Sequence, residues 1–241
     1  MALVFVTSAG LGGAAAELAG LSRRDAQLAS AWLLQGTVGV VGYAGWRRLA
    51  RGDPARGDPE GGGKGAPPPG TAAAWRWVRA GLAGVPFGVV LVGAQAAVNA
   101  LVGAGAQAAG WGEVVRRLGV EEQQSLNALV LQAEGIRFFS LVVLLVLLAP
   151  VSEELFFRGY LYGLLRGPGG MKPFPGAAVS ALAFAGLHAY VVHLPALWVV
   201  GVLLALWYER RRRLAAAIGA HVGANALTLA LLLVGRIPAA S

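Results

Sequence analysis

Cysteine is absent from the 241 residues. That excludes disulfides, thiolate nucleophiles and any cysteine-based metal site. Charge is scarce too: Asp, Glu, Lys and Arg make up 13% of the chain, where soluble domains carry about 25%. The apolar share is 56%, and mean hydropathy is +0.62. An ordinary soluble domain is therefore excluded, and the class is an integral membrane protein. Acidic residues are fewer than basic ones, leaving a net charge of +8. No polar domain is large enough to hold a duplex, so the excess is read as basic loops rather than nucleic-acid binding. The start, MALVFVTSAGLGG, lacks the positive region of a signal peptide and reads as a membrane segment. No repeat of solenoid length occurs, and HExxH, the usual zinc-protease signature, is missing.

Long apolar runs are what the chain does have. A spanning helix needs about 20 mostly apolar residues. Seven segments qualify as candidates, near 3–20, 28–46, 80–105, 136–166, 174–191, 195–209 and 214–235. The fold expected is an all-α polytopic transmembrane bundle of about seven helices, with a site buried between the C-terminal four. The organisation expected is an N-terminal membrane region, 1–135, followed by a membrane core, 136–235. Residues 47–74, rich in Gly, Pro and charge, read as a disordered loop. Residues 107–135 are more polar, with helical apolar spacing at Val114, Leu118, Leu126, Leu129 and Val130, and suggest an interfacial helix or a short hairpin. Arg and Lys in 47–79, at Arg166 and Lys172, and in Arg210 to Arg213 place three loops on the cytoplasmic side. A bias to Ala, Gly, Val and Arg points to a prokaryotic cytoplasmic membrane.

Ionisable groups inside apolar helices are rare and mark function, because each costs at least ~2.5–3.5 kcal/mol at the membrane centre. Between 141 and 235 they are Glu153, Glu154, Arg158, His188 and His221, with Asn225 beside the last. His193 sits at a helix junction and reads as an interhelical hydrogen bonder. Glu154 and Arg158 are four apart and form an ion pair that braces the helix. Glu153 lies about 100° around the helix and is left for another partner. Phe184 stands one turn from His188 and walls its ring. His221 and Asn225 share a face, which Thr228 continues. At about 1.5 Å per residue, Glu153 and His188 lie ~20 and ~21 Å from the inner ends of their segments. His221 and Asn225 reach only ~10 and ~16 Å on the same reckoning, so they match only if the last helix begins after Leu214. A carboxylate beside imidazole can deprotonate a water, and His and Asn can stabilise an oxyanion. The same groups allow a metal reading, with Glu153, His188 and His221 as ligands to Zn²⁺ or another divalent ion.

EELFFR (Glu153, Glu154, Arg158), FAGLH (Phe184, His188) and HVGAN (His221, Asn225) resemble, in order, the three motifs of the CPBP family. This is the family of CAAX prenyl proteases and bacteriocin-processing enzymes, also called Abi. The resemblance implies an intramembrane endopeptidase acting on a membrane-associated or peptide-precursor substrate. It makes Glu153 the base that activates water, helped by His188. It puts His221 and Asn225 at the oxyanion, with Glu154, Arg158 and Phe184 in support. No cofactor is favoured, because Asn225 suits an oxyanion better than zinc. The partners expected are the bilayer and a peptide or protein substrate, with no nucleic acid. A transporter or proton relay is the competing class, and a non-catalytic immunity or scaffold member of the same family is another.

Overall fold

A computed structural model describes residues 20, 22–52 and 71–235. The segment expected at 3–20 lies outside them, its last residue excepted. Among the described residues there are helices and no strands: α1 (Arg23–Gly52), α2 (Thr71–Gly84), α3 (Phe87–Ala108), α4 (Gly112–Leu131), α5 (Gly135–Leu165), α6 (Pro173–Leu187), α7 (Leu194–Arg211) and α8 (Leu214–Val234). Among the described residues, three stretches are long and apolar enough to cross a membrane: Ala74–Ala108, Gly135–Leu165 and Leu214–Val234. The 15-residue α6 is apolar but shorter. Polarity is inverted relative to a soluble protein. Leu33, Val40, Trp75, Val89, Leu101, Phe139 and Leu182 are exposed, while Gln35, Glu153, Glu154, Arg158, His188 and His221 are buried. The protein is a helical membrane bundle.

Two details differ from the sequence reading, and a third narrows its alternatives of helix or hairpin. The 47–74 stretch is helical at both ends, over 47–52 and 71–74, because α1 and α2 continue past their apolar cores; its centre lies outside the described residues. The polar 107–135 segment holds one helix, α4, flanked by short turns. The segment expected over 174–191 stops at Leu187. Beyond it Ala189 adopts φ 55°, a left-handed turn that ends helices and is usually left to glycine.

α5 is long but not uniform. It winds as π-helix over Val143–Leu148 and again over Leu155–Tyr162, with an α-helical turn, Ala149–Glu154, between them. Pro150 accounts for one consequence of the first π segment. Ala149 N–H bonds to the Leu144 carbonyl, five residues back. In that register the Leu145 carbonyl would pair with the N–H of residue 150, and proline has none. Asn225 of α8 supplies the missing donor, its Nδ2 lying 2.8 Å from the Leu145 oxygen. π segments recur at functional sites, and the turn between these two carries Glu153 and Glu154.

α8 packs on α2, α3 and the Ala149–Glu154 turn, while α6 packs on α7. Glycines sit where helices approach closely. A side chain at Gly219 would strike the Gly81 carbonyl, and Gly159 lies against Trp46 of α1.

Candidate active site

The charges of α5 are buried almost completely: Glu153 is 2% exposed, Glu154 0% and Arg158 1%. An isolated buried charge is unstable, so each needs partners. Arg158 Nη1 donates to Glu154 Oε1 at 2.7 Å, as the spacing predicts. Its Nη2 donates to the Gly201 carbonyl at 3.0 Å, which ties α5 to α7. The guanidinium also lies 4.8 Å from the centre of the Phe184 ring. That contact adds a cation–π attraction, strengthened by the absence of water.

Glu154 does more than neutralise Arg158. Its Oε1 also lies 2.8 Å from Nδ1 of His221. A carboxylate only accepts, so Nδ1 carries the proton and Nε2 of a neutral His221 holds the lone pair. Nε2 in turn faces Glu153 Oε2 across 3.8 Å, too far for a direct hydrogen bond. Glu153 Oε2 is buried and has no hydrogen-bond partner. The imidazole set against Glu153 is therefore His221, where the sequence reading gave that place to His188. Depth counted along each helix misjudged α8. It does begin at Leu214, yet His221 reaches both glutamates, because separate helices need not start at one level.

His188 caps α6. Its Nδ1 donates to the Phe184 carbonyl at 2.7 Å, which leaves Nε2 as an acceptor. The Phe184 ring lies 4.5 Å from the His188 ring and 6.0 Å from that of His221, so it walls both imidazoles. Asn225 spends one of its two N–H groups on Leu145 and keeps the other.

A cavity of about 160 Å³ opens beside these groups. Phe184, His188, His221, Asn225 and Thr228 line it, together with Gln95, Gln123 and Asn127 from α3 and α4. Glu153 and Glu154 are not in its wall; His221, which meets both, is. Of the expected oxyanion pair, His221 has Nδ1 on Glu154, and Asn225 keeps one N–H of its two.

α4 is held over this region by a latch that sequence reasoning missed. Glu122 Oε1 accepts the N–H groups of Val191 and Val192 at 2.7 and 2.9 Å, and Oε2 accepts that of His193 at 3.3 Å. Oε2 also meets His193 Nδ1 at 2.8 Å, and Gln123 meets His193 Nε2 at 2.7 Å. Burial alone would raise the Glu122 pKa, but the Val192, His193 and Val191 hydrogen bonds outweigh it and hold the carboxyl below its usual range. His193 is thus the satisfied hydrogen bonder expected of it.

Gln35 and Ser152 were also missed. Gln35 Nε2 donates to Glu153 Oε1 at 3.1 Å, and Ser152 Oγ donates to Gln35 Oε1. A lone amide within an apolar run, WLLQGTV, was the signal available for Gln35.

The residues of the metal reading can be tested for fit. Both imidazoles expose Nε2, the atom a metal would take, with Nδ1 held by an acceptor. Among the described residues, however, Glu153, His188 and His221 do not gather into a group able to hold an ion. No step is routed through a metal.

Three motif segments on α5, α6 and α8 converge on one buried centre, and the sequence comparison covers the same ground. Residues 135–227 match the family model described as "Type II CAAX prenyl endopeptidase Rce1-like". That segment is similar to the CAAX-protease family. The match runs from the start of α5 into α8 and leaves α1 to α4 outside. No curated protein and no solved structure matches the chain. Family and composition together point to a protease embedded in a membrane.

Proposed function

We propose that the protein is an intramembrane endopeptidase in which Glu153 takes the proton of the attacking water. The observation that carries this reading is the unpartnered Glu153 Oε2, buried and facing the His221 lone pair. A proton taken there sits on the carboxylate, with the imidazole lone pair facing it across 3.8 Å. Positioned bases of this kind contribute about 10²–10⁴-fold to rate. Water gives its proton to Glu153 Oε2, and the hydroxide adds to the peptide carbonyl. The free N–H of Asn225 receives the developing oxyanion. The C–N bond then breaks, and the proton on Glu153 passes to the leaving amine. His188 Nε2, an acceptor, orients the second hydrogen of the water. Glu154 and Arg158 keep His221 in the required tautomer.

The cavity wall suits an uncharged peptide segment, since Gln95, Gln123 and Asn127 offer amides among apolar side chains. A peptide precursor or a membrane-tethered protein tail fits that description. The test uses purified protein in lipid vesicles with internally quenched reporter peptides, carried on prenyl or acyl anchors. The wild type cleaves an internal bond of at least one reporter and incorporates a single ¹⁸O from labelled water. Cleavage that persists in Glu153→Ala at the same bond contradicts the proposal.

A further inference from the structure

α1 lies outside the family match, yet it supplies a group that touches Glu153. Gln35 is fully buried, at 0% exposure, in the middle of that helix. Its amide is oriented from both ends. The carboxylate of Glu153 can only accept, so Nε2 faces it, and Oε1 receives the Ser152 hydroxyl. Ser152 is in turn anchored beside the Ala149 carbonyl, 3.0 Å away. Of the two Glu153 oxygens, Oε1 is thereby occupied and Oε2 is not.

The approach of α1 to α5 depends on glycine. Gly39 and Gly42 follow Gln35 by four and seven residues, which places all three on one face. A Cβ at Gly42 would come within 2.6 Å of the Phe156 nitrogen, and one at Gly39 within 3.2 Å of Ser152 Cβ. The helices approach closely here, where the Gln35 amide reaches Glu153.

We propose that α1 is part of the catalytic unit and that Gln35 is a positioning residue for Glu153. By binding Oε1 it fixes the carboxylate so that Oε2 alone meets the water and His221. This rests on the reading of Glu153 as the base. A misplacement of about 1 Å in such a group costs on the order of a hundredfold in rate.

Gln35→Leu and Gln35→Met, the latter matched in length but lacking the amide donor, test the idea beside Glu153→Gln. All are assayed in vesicles with the reporter peptide cleaved by the wild type, and their carboxyl bands are recorded by infrared difference spectroscopy. The Glu153 bands are assigned by their loss in Glu153→Gln. The expected result is a kcat lower by about ten- to a hundredfold, an unchanged KM, and shifted Glu153 bands. Where Gln35→Leu fails to elute as a folded species, Gln35→Met decides. Unchanged bands or an unchanged kcat in the folded variant overturn the role of Gln35. Loss of activity in Glu153→Gln alongside a fully active Gln35 variant sinks only this proposal. Activity retained in Glu153→Gln sinks the reading of the base itself.

Discussion

Two Glu–His pairs in this protein have the same contact and opposite surroundings. In each, Nδ1 lies 2.8 Å from a carboxylate oxygen: His221 with Glu154, and His193 with Glu122. Around Glu122, three backbone N–H groups and one imidazole fill both oxygens, and Gln123 meets the far nitrogen of His193. Nothing is left to react, and the pair works as a latch between α4 and the turn before α7. Around Glu154 the far nitrogen of His221 faces Glu153 Oε2 without bonding it, beside a cavity. The difference shows that the Glu–His contact alone does not mark a site. What sets the second pair apart is the unmatched Glu153 Oε2 facing its imidazole, since buried atoms such as Trp46 Nε1 and Asn99 Oδ1 also lack partners and an unmatched atom alone does not mark a site.

Breaking the buried half gives the largest effect on stability. Arg158→Ala leaves Glu154 without its cation in a buried position, and such losses cost about 3–5 kcal/mol. Unfolding of the purified protein in detergent should detect it as a lower denaturant midpoint. The exposed pair Arg116–Glu113 offers the control, since surface pairs contribute about 0–1 kcal/mol. A similar midpoint for Arg158→Ala and Arg116→Ala would remove the distinction between the two environments.

The two histidines should separate next. His221→Gln removes the Nε2 lone pair and is expected to lower kcat about a hundredfold. His193→Gln, in the latch, should leave kcat near that of the wild type. Peptide cleavage by the two variants in parallel checks this, and equal losses would mean that the latch is also part of the chemistry.

The latch should respond to acid. Glu122 is held below its usual pKa in the folded protein, so its contribution is present above the unfolded carboxyl value, about 4.3, and is lost as pH falls through the lower folded value. Hydrogen exchange at Val191, Val192 and His193, corrected for the intrinsic pH dependence, should lose protection on acidification below pH 4. Glu122→Gln should show weaker protection already at neutral pH. Protection that ignores both would show that other contacts hold the turn.

The smallest expected effect is that of chelation. A stringent chelator should leave reporter cleavage unchanged. Loss of activity that Zn²⁺ restores would replace the glutamate mechanism with a metal one.

Much of this was legible in the sequence, for physical reasons. Charges within apolar helices are so costly that Glu153, Glu154, Arg158, His188 and His221 stood out on inspection, and helical spacing alone paired Glu154 with Arg158. The i,i+4 relation of Phe184 and His188 likewise gave their ring contact. Spacing within one helix says nothing about which neighbour meets it, however. So spacing does not show that His221 faces Glu153 across 3.8 Å, or that Glu154 binds His221 Nδ1 as well as Arg158. The bond from Asn225 to Leu145 is not legible in the sequence, because a carbonyl stripped of its donor by Pro150 cannot be seen without the π register. Gln35 is uncharged and sits far away in sequence, so only the close approach of α1 reveals it.

The comparison of the two pairs comes down to one paired assay: kcat for Glu153→Gln and Glu122→Gln, in vesicles, on the same reporter peptide. A loss of about 10²–10⁴-fold in the first, with near wild-type turnover in the second, is the expected result. Turnover by Glu153→Gln close to the wild type, or an equal loss in both, would contradict the assignment of Glu153 as the base.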